Sequence, residues 1–138
     1  MRNTTRWATA LGLAATAVLG PLTGAATAAP EASSLVMTAR YGGALSPDAT
    51  VPQVREVTLT CSPTVSGTHP DAKSACTELR RVQGDFDALR ANPGVMCPMY
   101  YDPVVVTVSG VWEGRSVSYE RTFGNQCVKN TYGSVFAF

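Results

Sequence analysis

Four cysteines constrain this chain more than any other feature of its sequence: Cys61, Cys76, Cys97 and Cys127. An even number of cysteines in a chain that reaches an oxidising compartment predicts two disulfides, for which three pairings are possible. The local pairing, Cys61–Cys76 with Cys97–Cys127, is favoured because it closes the shortest loops. Loops of these lengths would stabilise the fold by roughly 3 and 3.5–4 kcal/mol. A zinc site is not expected, because the sequence has no C-x-x-C pair and a single histidine.

The oxidising compartment is predicted by residues 1–28, which have the pattern of a secretory signal peptide. Arg2 and Arg6 give a basic start, residues 8–22 are apolar and uncharged, and residues 26–28 form an A-x-A cleavage site. The apolar stretch has about 15 residues, whereas a membrane-spanning helix needs roughly 20. We therefore expect cleavage after residue 28 or 29 and a secreted, extracellular protein.

Residues 29–138 have the length of a single domain. They contain nine Lys and Arg against ten Asp and Glu, so the net charge is near −1. This balance gives no electrostatic reason to expect nucleic acid or an anionic membrane as a partner. No apolar run within the domain is long enough to span a bilayer.

The hydrophobic periods of the domain predict an α+β fold, with about five antiparallel strands, one longer helix and one short helix. The longer helix covers residues 71–83 with Asp71 as its N-cap, and the short helix lies within residues 125–132. Residues 104–108 are expected to be buried on both faces, and Glu113-Gly114 to form a hairpin tip. Residues 42–53 are predicted to be a loop. The predicted strands are residues 35–41, 54–61, 104–108, 115–123 and 135–138.

No group of residues in the sequence resembles a catalytic site. His69, the one histidine, lies in a loop before the longer helix, and the sequence has no G-x-S-x-G, phosphate-loop or dinucleotide pattern. Asp85 and Asp87 flank Phe86 and are expected to face solvent. With all four cysteines paired, no thiol is free to act as a nucleophile. We therefore predict a binding protein rather than an enzyme; a hydrolase that uses His69 is a distant alternative.

Residues 95–103, VMCPMYYDP, predict an extended loop that is held at both ends. Pro98 disfavours helical backbone at Cys97, and Pro103 does the same at Asp102. A disulfide at Cys97 would anchor the loop to the rest of the fold. An extended apolar segment of this kind can add as a strand to a partner's binding cleft.

Three segments of the chain resemble the Streptomyces subtilisin inhibitor family: VMCPMYYDPVVVTVSGVWEGRSVSYERTFGNQCVKN, SVFAF and VTLTCSPTVSGTHPDAKSAC. The resemblance extends over residues 35–138. It implies a five-stranded antiparallel sheet with two helices, the disulfides Cys61–Cys76 and Cys97–Cys127, and a homodimer. It also implies a secreted inhibitor of serine proteases, chiefly subtilisin-like ones. An unbranched, apolar methionine in the contact loop would also suit chymotrypsin-like enzymes. No cofactor or metal is expected.

The resemblance further assigns site residues. The scissile bond would join Met99 to Tyr100, with Met99 in the main specificity pocket of the protease, and Asn125 would support the loop by hydrogen bonds to its backbone. Tyr100 is bulkier than the small aliphatic residue common at that position. Two alternatives stay open: Met96 could pack in the core, and the chain could be a secreted binding module that inhibits nothing. The expected contact residues are Met96, Cys97, Pro98, Met99, Tyr100, Tyr101 and Asp102.

Overall fold

The computed structural model describes residue 24 and residues 28–42 and 53–138. The basic start and apolar stretch of the predicted signal peptide lie outside the described residues, as do residues 43–52 of the predicted loop over residues 42–53. No helix among the described residues is both long and apolar enough to cross a membrane.

The described residues form a four-stranded antiparallel sheet with the order β2-β1-β3-β4. Alternation along β1 places Leu35, Met37 and Ala39 on the buried face, as its period of two predicts. The tip between β3 and β4 is at Glu113-Gly114, as predicted, and both residues have positive φ. The strands are β1 (Ser33–Tyr41), β2 (Gln53–Ser62), β3 (Val104–Trp112) and β4 (Arg115–Phe123).

In the described part of the chain, two helices and two short 3₁₀ segments accompany the sheet. Helix α1 (Ala72–Arg81) begins as predicted, because the Asp71 side chain accepts a hydrogen bond from the backbone N–H of Ser74. The helix ends before residue 83, where Gln83 and Gly84 have positive φ. Helix α2 is short, Gln126–Asn130, and the 3₁₀ segments are Phe86–Ala88 and Ser134–Phe136.

The core lies between one face of the sheet and the helices. The Cys61–Cys76 disulfide joins β2 to α1, with 5.4 Å between the two Cα atoms. Apolar side chains of α1, namely Ala75 and Leu79, are buried against this face. The aromatic part of the core consists of Phe86, Trp112, Phe123, Phe136 and Phe138.

The prediction of a fifth strand at residues 135–138 is wrong. Residues 134–136 form a 3₁₀ segment, although Val135, Phe136 and Phe138 are buried as the pattern indicated. Side chains bind the backbone groups that a neighbouring strand would use. Glu78 accepts hydrogen bonds from the N–H groups of residues 134 and 135, and Lys129 donates to the backbone oxygens of residues 136 and 138.

The prediction that residues 104–108 are buried on both faces is also wrong. Val104, Val106 and Val108 are buried, whereas Val105 and Thr107 are half-buried. The reason is that α1 and α2 lie on the same side of the sheet as the core. The opposite face, called the open sheet face, carries Ser34, Val36, Thr38 and Arg40 of β1 and Val105, Thr107, Ser109 and Val111 of β3.

Candidate functional site

Residues 95–103, called the 95–103 loop, have no regular secondary structure and lead into β3. The side chain of Met99 is 100% exposed and that of Met96 is 94% exposed, so Met96 does not pack in the core. Tyr100 and Tyr101 are also exposed. Several large apolar side chains side by side on the surface of a small domain are typical of an interaction site.

The first support of the 95–103 loop is the disulfide from Cys97 to Cys127, with 5.7 Å between the Cα atoms. Cys127 lies in α2, so the covalent bond attaches the residue two positions before Met99 to a helix. Together with Cys61–Cys76 this accounts for all four cysteines, and none is free. The pairing is the local one.

The second support is the side chain of Asn125, which is 2% exposed. Its Nδ2 donates to the carbonyl oxygens of Pro98 and Tyr100, at 3.0 Å each. Its Oδ1 accepts from the backbone N–H of Val128 at 3.0 Å and thereby caps α2. One amide therefore holds the peptide oxygens on both sides of Met99 and ties them to the start of a helix.

The loop is also held by backbone contacts on either side of these residues. On the far side, the N–H of Asp102 donates to the carbonyl oxygen of Gly124 at 2.9 Å. On the near side, the N–H of Asn92 donates to the carbonyl oxygen of Thr131 at 2.7 Å, just after α2. The Asn92 side chain accepts from the N–H of Gly94 at 2.9 Å. The N-P-G pattern predicts a turn here, but no sequence signal identifies Thr131 as its partner.

Helix α2 carries much of this support, and a buried lysine fixes it in place. Lys129 is fully buried, and its Nζ donates to the backbone oxygens of Phe136 and Phe138 while lying over the Tyr41 and Phe138 rings. Burial lowers the pKa of Lys129 to about 8, and the positive charge of Arg55 contributes. Sequence reasoning missed Lys129, because a lysine in a short polar helix is expected to face solvent.

His69 serves the fold rather than catalysis. Its Nδ1 accepts from the N–H of Asp71 at 3.1 Å, and its Nε2 lies 3.1 Å from the carbonyl oxygen of Val135. Because a carbonyl can only accept, Nε2 carries the proton and both ring nitrogens are occupied. Burial lowers the pKa of His69, although nearby carboxylates oppose the shift. The lowered pKa and the two ring contacts favour the neutral form of His69 beside the start of α1.

The remaining candidates for chemistry are equally unsuited to it. Asp85 and Asp87 are both exposed, as expected, and the Asp85 side chain accepts from the N–H of Asp87. Among the residues that the structure describes, no cluster of three or more His, Cys, Asp or Glu side chains could hold a metal ion. The candidate functional site among the described residues is therefore the exposed and supported 95–103 loop.

A small α+β domain that is linked by two disulfides and presents one exposed, supported loop is typical of proteins that bind a partner. The profile of the subtilisin inhibitor-like family matches residues 31–125, which is more than half of the chain. The chain belongs to this family.

Individual relatives agree with the family profile. A trypsin inhibitor from Streptomyces longisporus is 58% identical, and the match covers all of both chains. A subtilase-type protease inhibitor from Streptomyces coelicolor is 56% identical over the same extent. The crystal structure of Streptomyces caespitosus sermetstatin in complex with Bacillus licheniformis subtilisin is similar in fold, with a TM-score of 0.61 and 38% identity. That match covers 79% of this chain and 99% of sermetstatin.

Proposed function

We propose that this chain is a secreted inhibitor of subtilisin-like serine proteases that binds like a substrate, with Met99–Tyr100 as the scissile bond. The observation that carries the proposal is that Asn125 binds the carbonyl oxygens on both sides of the fully exposed Met99. Membership of an inhibitor family supports the activity, and the sermetstatin–subtilisin complex supports the class of protease. The predicted signal peptide supports secretion.

Met99 is proposed to occupy the main specificity pocket of the protease. Methionine is unbranched and apolar, so it can fill a large hydrophobic pocket, which favours subtilisin-like and chymotrypsin-like enzymes. A trypsin-like pocket contains a carboxylate that an uncharged side chain would leave unpaired, so trypsin should be inhibited weakly. The remaining proposed contacts are Met96, Cys97, Pro98, Tyr100, Tyr101 and Asp102.

Slow turnover of the bound loop follows from its support on both sides. If the protease cleaves Met99–Tyr100, the Cys97–Cys127 disulfide retains the new carboxyl end, and the Asp102–Gly124 hydrogen bond retains the new amine. The amine of Tyr100 can then attack the acyl-enzyme and restore the bond. Well-oriented intramolecular partners reach effective concentrations of roughly 10⁵–10⁸ M. The preformed loop also loses little conformational freedom on binding.

A panel of subtilisin, chymotrypsin and trypsin tests the activity. We expect inhibition to be strongest for subtilisin, weaker for chymotrypsin and weakest for trypsin. A chain that inhibits none of the three would favour the alternative of a binding module without inhibitory activity.

Met99→Lys should move potency from subtilisin towards trypsin, because lysine pairs with the carboxylate of the trypsin pocket. Val65→Lys is the control, since it adds the same charge at an exposed position outside the 95–103 loop and should leave both inhibition constants unchanged.

The position of the scissile bond is tested separately by mass spectrometry. A brief incubation with a catalytic amount of subtilisin at mildly acid pH should produce one cleavage, after Met99. Cleavage only after Tyr100 or Tyr101 would move the site along the loop and contradict the assignment of Met99.

The proposal also includes a homodimer formed through the open sheet face. Val36 and Val111 are exposed on this face, and Val105 and Thr107 lie between them on the same side of the sheet. Helices α1 and α2 both lie on the other face, so a second copy of the sheet could approach closely. Burial of apolar side chains against one another would supply the driving force.

A further inference from the structure

The three methionines among the described residues have very different environments. Met96 and Met99 are 94% and 100% exposed in the 95–103 loop, whereas Met37 is 0% exposed in β1. Cys97 and Cys127 are already oxidised to a disulfide, so neither offers a thiol to an oxidant. The accessible, oxidisable sulfur atoms of these residues are thus concentrated in the segment proposed to enter the protease.

We propose that Met99 is an oxidation site through which peroxides switch off inhibition. The inference rests on the proposed function, because it requires Met99 to enter an apolar pocket. The thioether sulfur attacks one oxygen of hydrogen peroxide, the O–O bond breaks, and an S–O bond forms. The departing hydroxide takes up the proton left on the transferred oxygen and becomes water. Sulfur loses two electrons, peroxide gains them, and the product is methionine sulfoxide.

The sulfoxide should weaken binding because it changes the polarity of the side chain without changing its position. A sulfoxide oxygen is a strong hydrogen-bond acceptor, whereas a thioether sulfur is a weak one. Transfer of that oxygen from water into an apolar pocket leaves it without a partner. We expect the inhibition constant for subtilisin to rise roughly tenfold to a hundredfold.

The same change should leave the fold intact. The loop is held by the Cys97–Cys127 disulfide, by Asn125 and by backbone hydrogen bonds, and the Met99 side chain takes part in none of them. A fully exposed side chain gains an oxygen without displacing any neighbour. Oxidation should therefore affect recognition of the protease and not thermal unfolding, and enzymatic reduction of the sulfoxide should restore inhibition.

The test is a peroxide titration of the intact protein. After each dose the peroxide is destroyed with catalase, subtilisin is added, and the inhibition constant is measured. In parallel, peptide mass spectrometry follows the gain of one oxygen at each methionine. We expect Met96 and Met99 to be oxidised well before Met37, and the loss of inhibition to follow Met99. An inhibition constant that stays unchanged while Met99 is fully oxidised would overturn the inference, as would oxidation of Met37 before Met99.

Three single variants assign the effect. Each is compared with itself before and after peroxide, so its starting affinity does not matter. Met99→Leu should lose its sensitivity to peroxide, whereas Met96→Leu should keep most of it. Met37 lies in the core away from the loop, so the inhibition constant of Met37→Leu should respond to peroxide as that of the parent protein does. If Met96→Leu removes the sensitivity and Met99→Leu does not, the switch is at Met96 and the assignment is wrong.

A protection experiment distinguishes failure of this inference from failure of the proposed function. The inhibitor is treated with peroxide alone and after saturation with catalytically inactive subtilisin, and oxidation of Met99 is measured by mass spectrometry. Protection of Met99 supports its burial in the complex. Protection without any effect of prior oxidation on inhibition would overturn the inference alone. Absence of both protection and inhibition would overturn the proposed function as well.

Discussion

At the scale of single residues, Asn125 connects the helix to the site. Its oxygen caps α2 while its nitrogen binds the carbonyl oxygens of Pro98 and Tyr100, so both ends of the amide are used. Aspartate has no donor at this position when ionised, and serine has an oxygen suited to the cap but is too short to span to the loop. The two roles of Asn125 can therefore be separated by substitution.

Asn125→Ser should keep the helix cap and lose the two hydrogen bonds to the loop. We expect subtilisin to hydrolyse the Met99–Tyr100 bond at least about tenfold faster, because the cut ends are no longer held together as well. The unfolding free energy should fall by less than in Asn125→Ala, which also loses the cap at a cost of about 1 kcal/mol. Hydrolysis is followed by chromatography and stability by urea unfolding. Equal hydrolysis rates in the parent protein and the serine variant would contradict this role.

Single residues also show where sequence reasoning stops. The exposure of Met99 is consistent with the extended segment that Pro98 and Pro103 predict. The role of Asn125 came from family resemblance, since an asparagine before a short helix indicates a cap and nothing more. Burial of Lys129 had no signal in the sequence, because its hydrogen-bond acceptors are backbone oxygens that only the folded chain brings near.

At the scale of elements, the two disulfides differ both in what they join and in the loop they close, with a sequence separation of 15 for Cys61–Cys76 and 30 for Cys97–Cys127. Cys61–Cys76 joins β2 to α1 on the core side of the sheet. Cys97–Cys127 joins the 95–103 loop to α2, and Cys97 is half-buried. The first therefore stabilises the scaffold, and the second also holds the site.

Removal of each disulfide by paired serine substitution should show this difference. Both double variants should lose roughly 3–4 kcal/mol of unfolding free energy, as expected for loops of these lengths. Only Cys97→Ser with Cys127→Ser should convert the inhibitor into a substrate that subtilisin degrades quickly. Cys61→Ser with Cys76→Ser is the matched control and should be cleaved slowly while it is folded. Rapid cleavage of both variants below their unfolding temperatures would show that stability alone governs turnover.

His69 should make the stability of the domain depend on pH. Burial lowers its pKa in the folded protein below the ordinary value of 6.5, so the unfolded chain binds the proton more readily. The contribution of His69 to the unfolding free energy should be fully present above pH 6.5. It should be lost progressively as the pH falls through and below that value. Urea unfolding between about pH 7.5 and 5.5 measures the slope. His69→Gln should flatten it, and an unchanged slope in that variant would assign the dependence to other groups.

The sequence predicts some elements correctly and one wrongly, depending on whether the signal is local. The period of two along β1 and β4 and the apolar stripe of α1 are local signals, and all three elements occur where they were predicted. The segment from Val135 to Phe138 has the composition of a strand, but Lys129 of the neighbouring helix and Glu78, more than fifty residues earlier in the chain, bind its backbone groups. A contact between residues so far apart in sequence leaves no local pattern.

At the scale of the whole molecule, the two faces of the sheet differ in what covers them. One face holds the core beneath α1 and α2, and the open sheet face has no helix over it in the part of the chain that the structure describes. On the open sheet face, Val36, Val105 and Val111 lie among threonine and serine side chains, with Arg40 at one end of β1, so the surface is mildly apolar. Such a face suits pairing with an identical face about a two-fold axis.

Val36→Glu should therefore dissociate the proposed homodimer. Val36 is 39% exposed in the single chain, so glutamate should change the unfolding free energy of the monomer little, within about 0.5 kcal/mol. In a dimer two carboxylates would be brought together and desolvated, and the dissociation constant should rise at least about a hundredfold. Sedimentation equilibrium of the parent protein and the variant measures this. Val65→Glu, at 37% exposure in the loop after β2, is the matched control and should stay dimeric. A parent protein that sediments as a monomer would refute the dimer, and dissociation by both variants would place the interface elsewhere than the open sheet face.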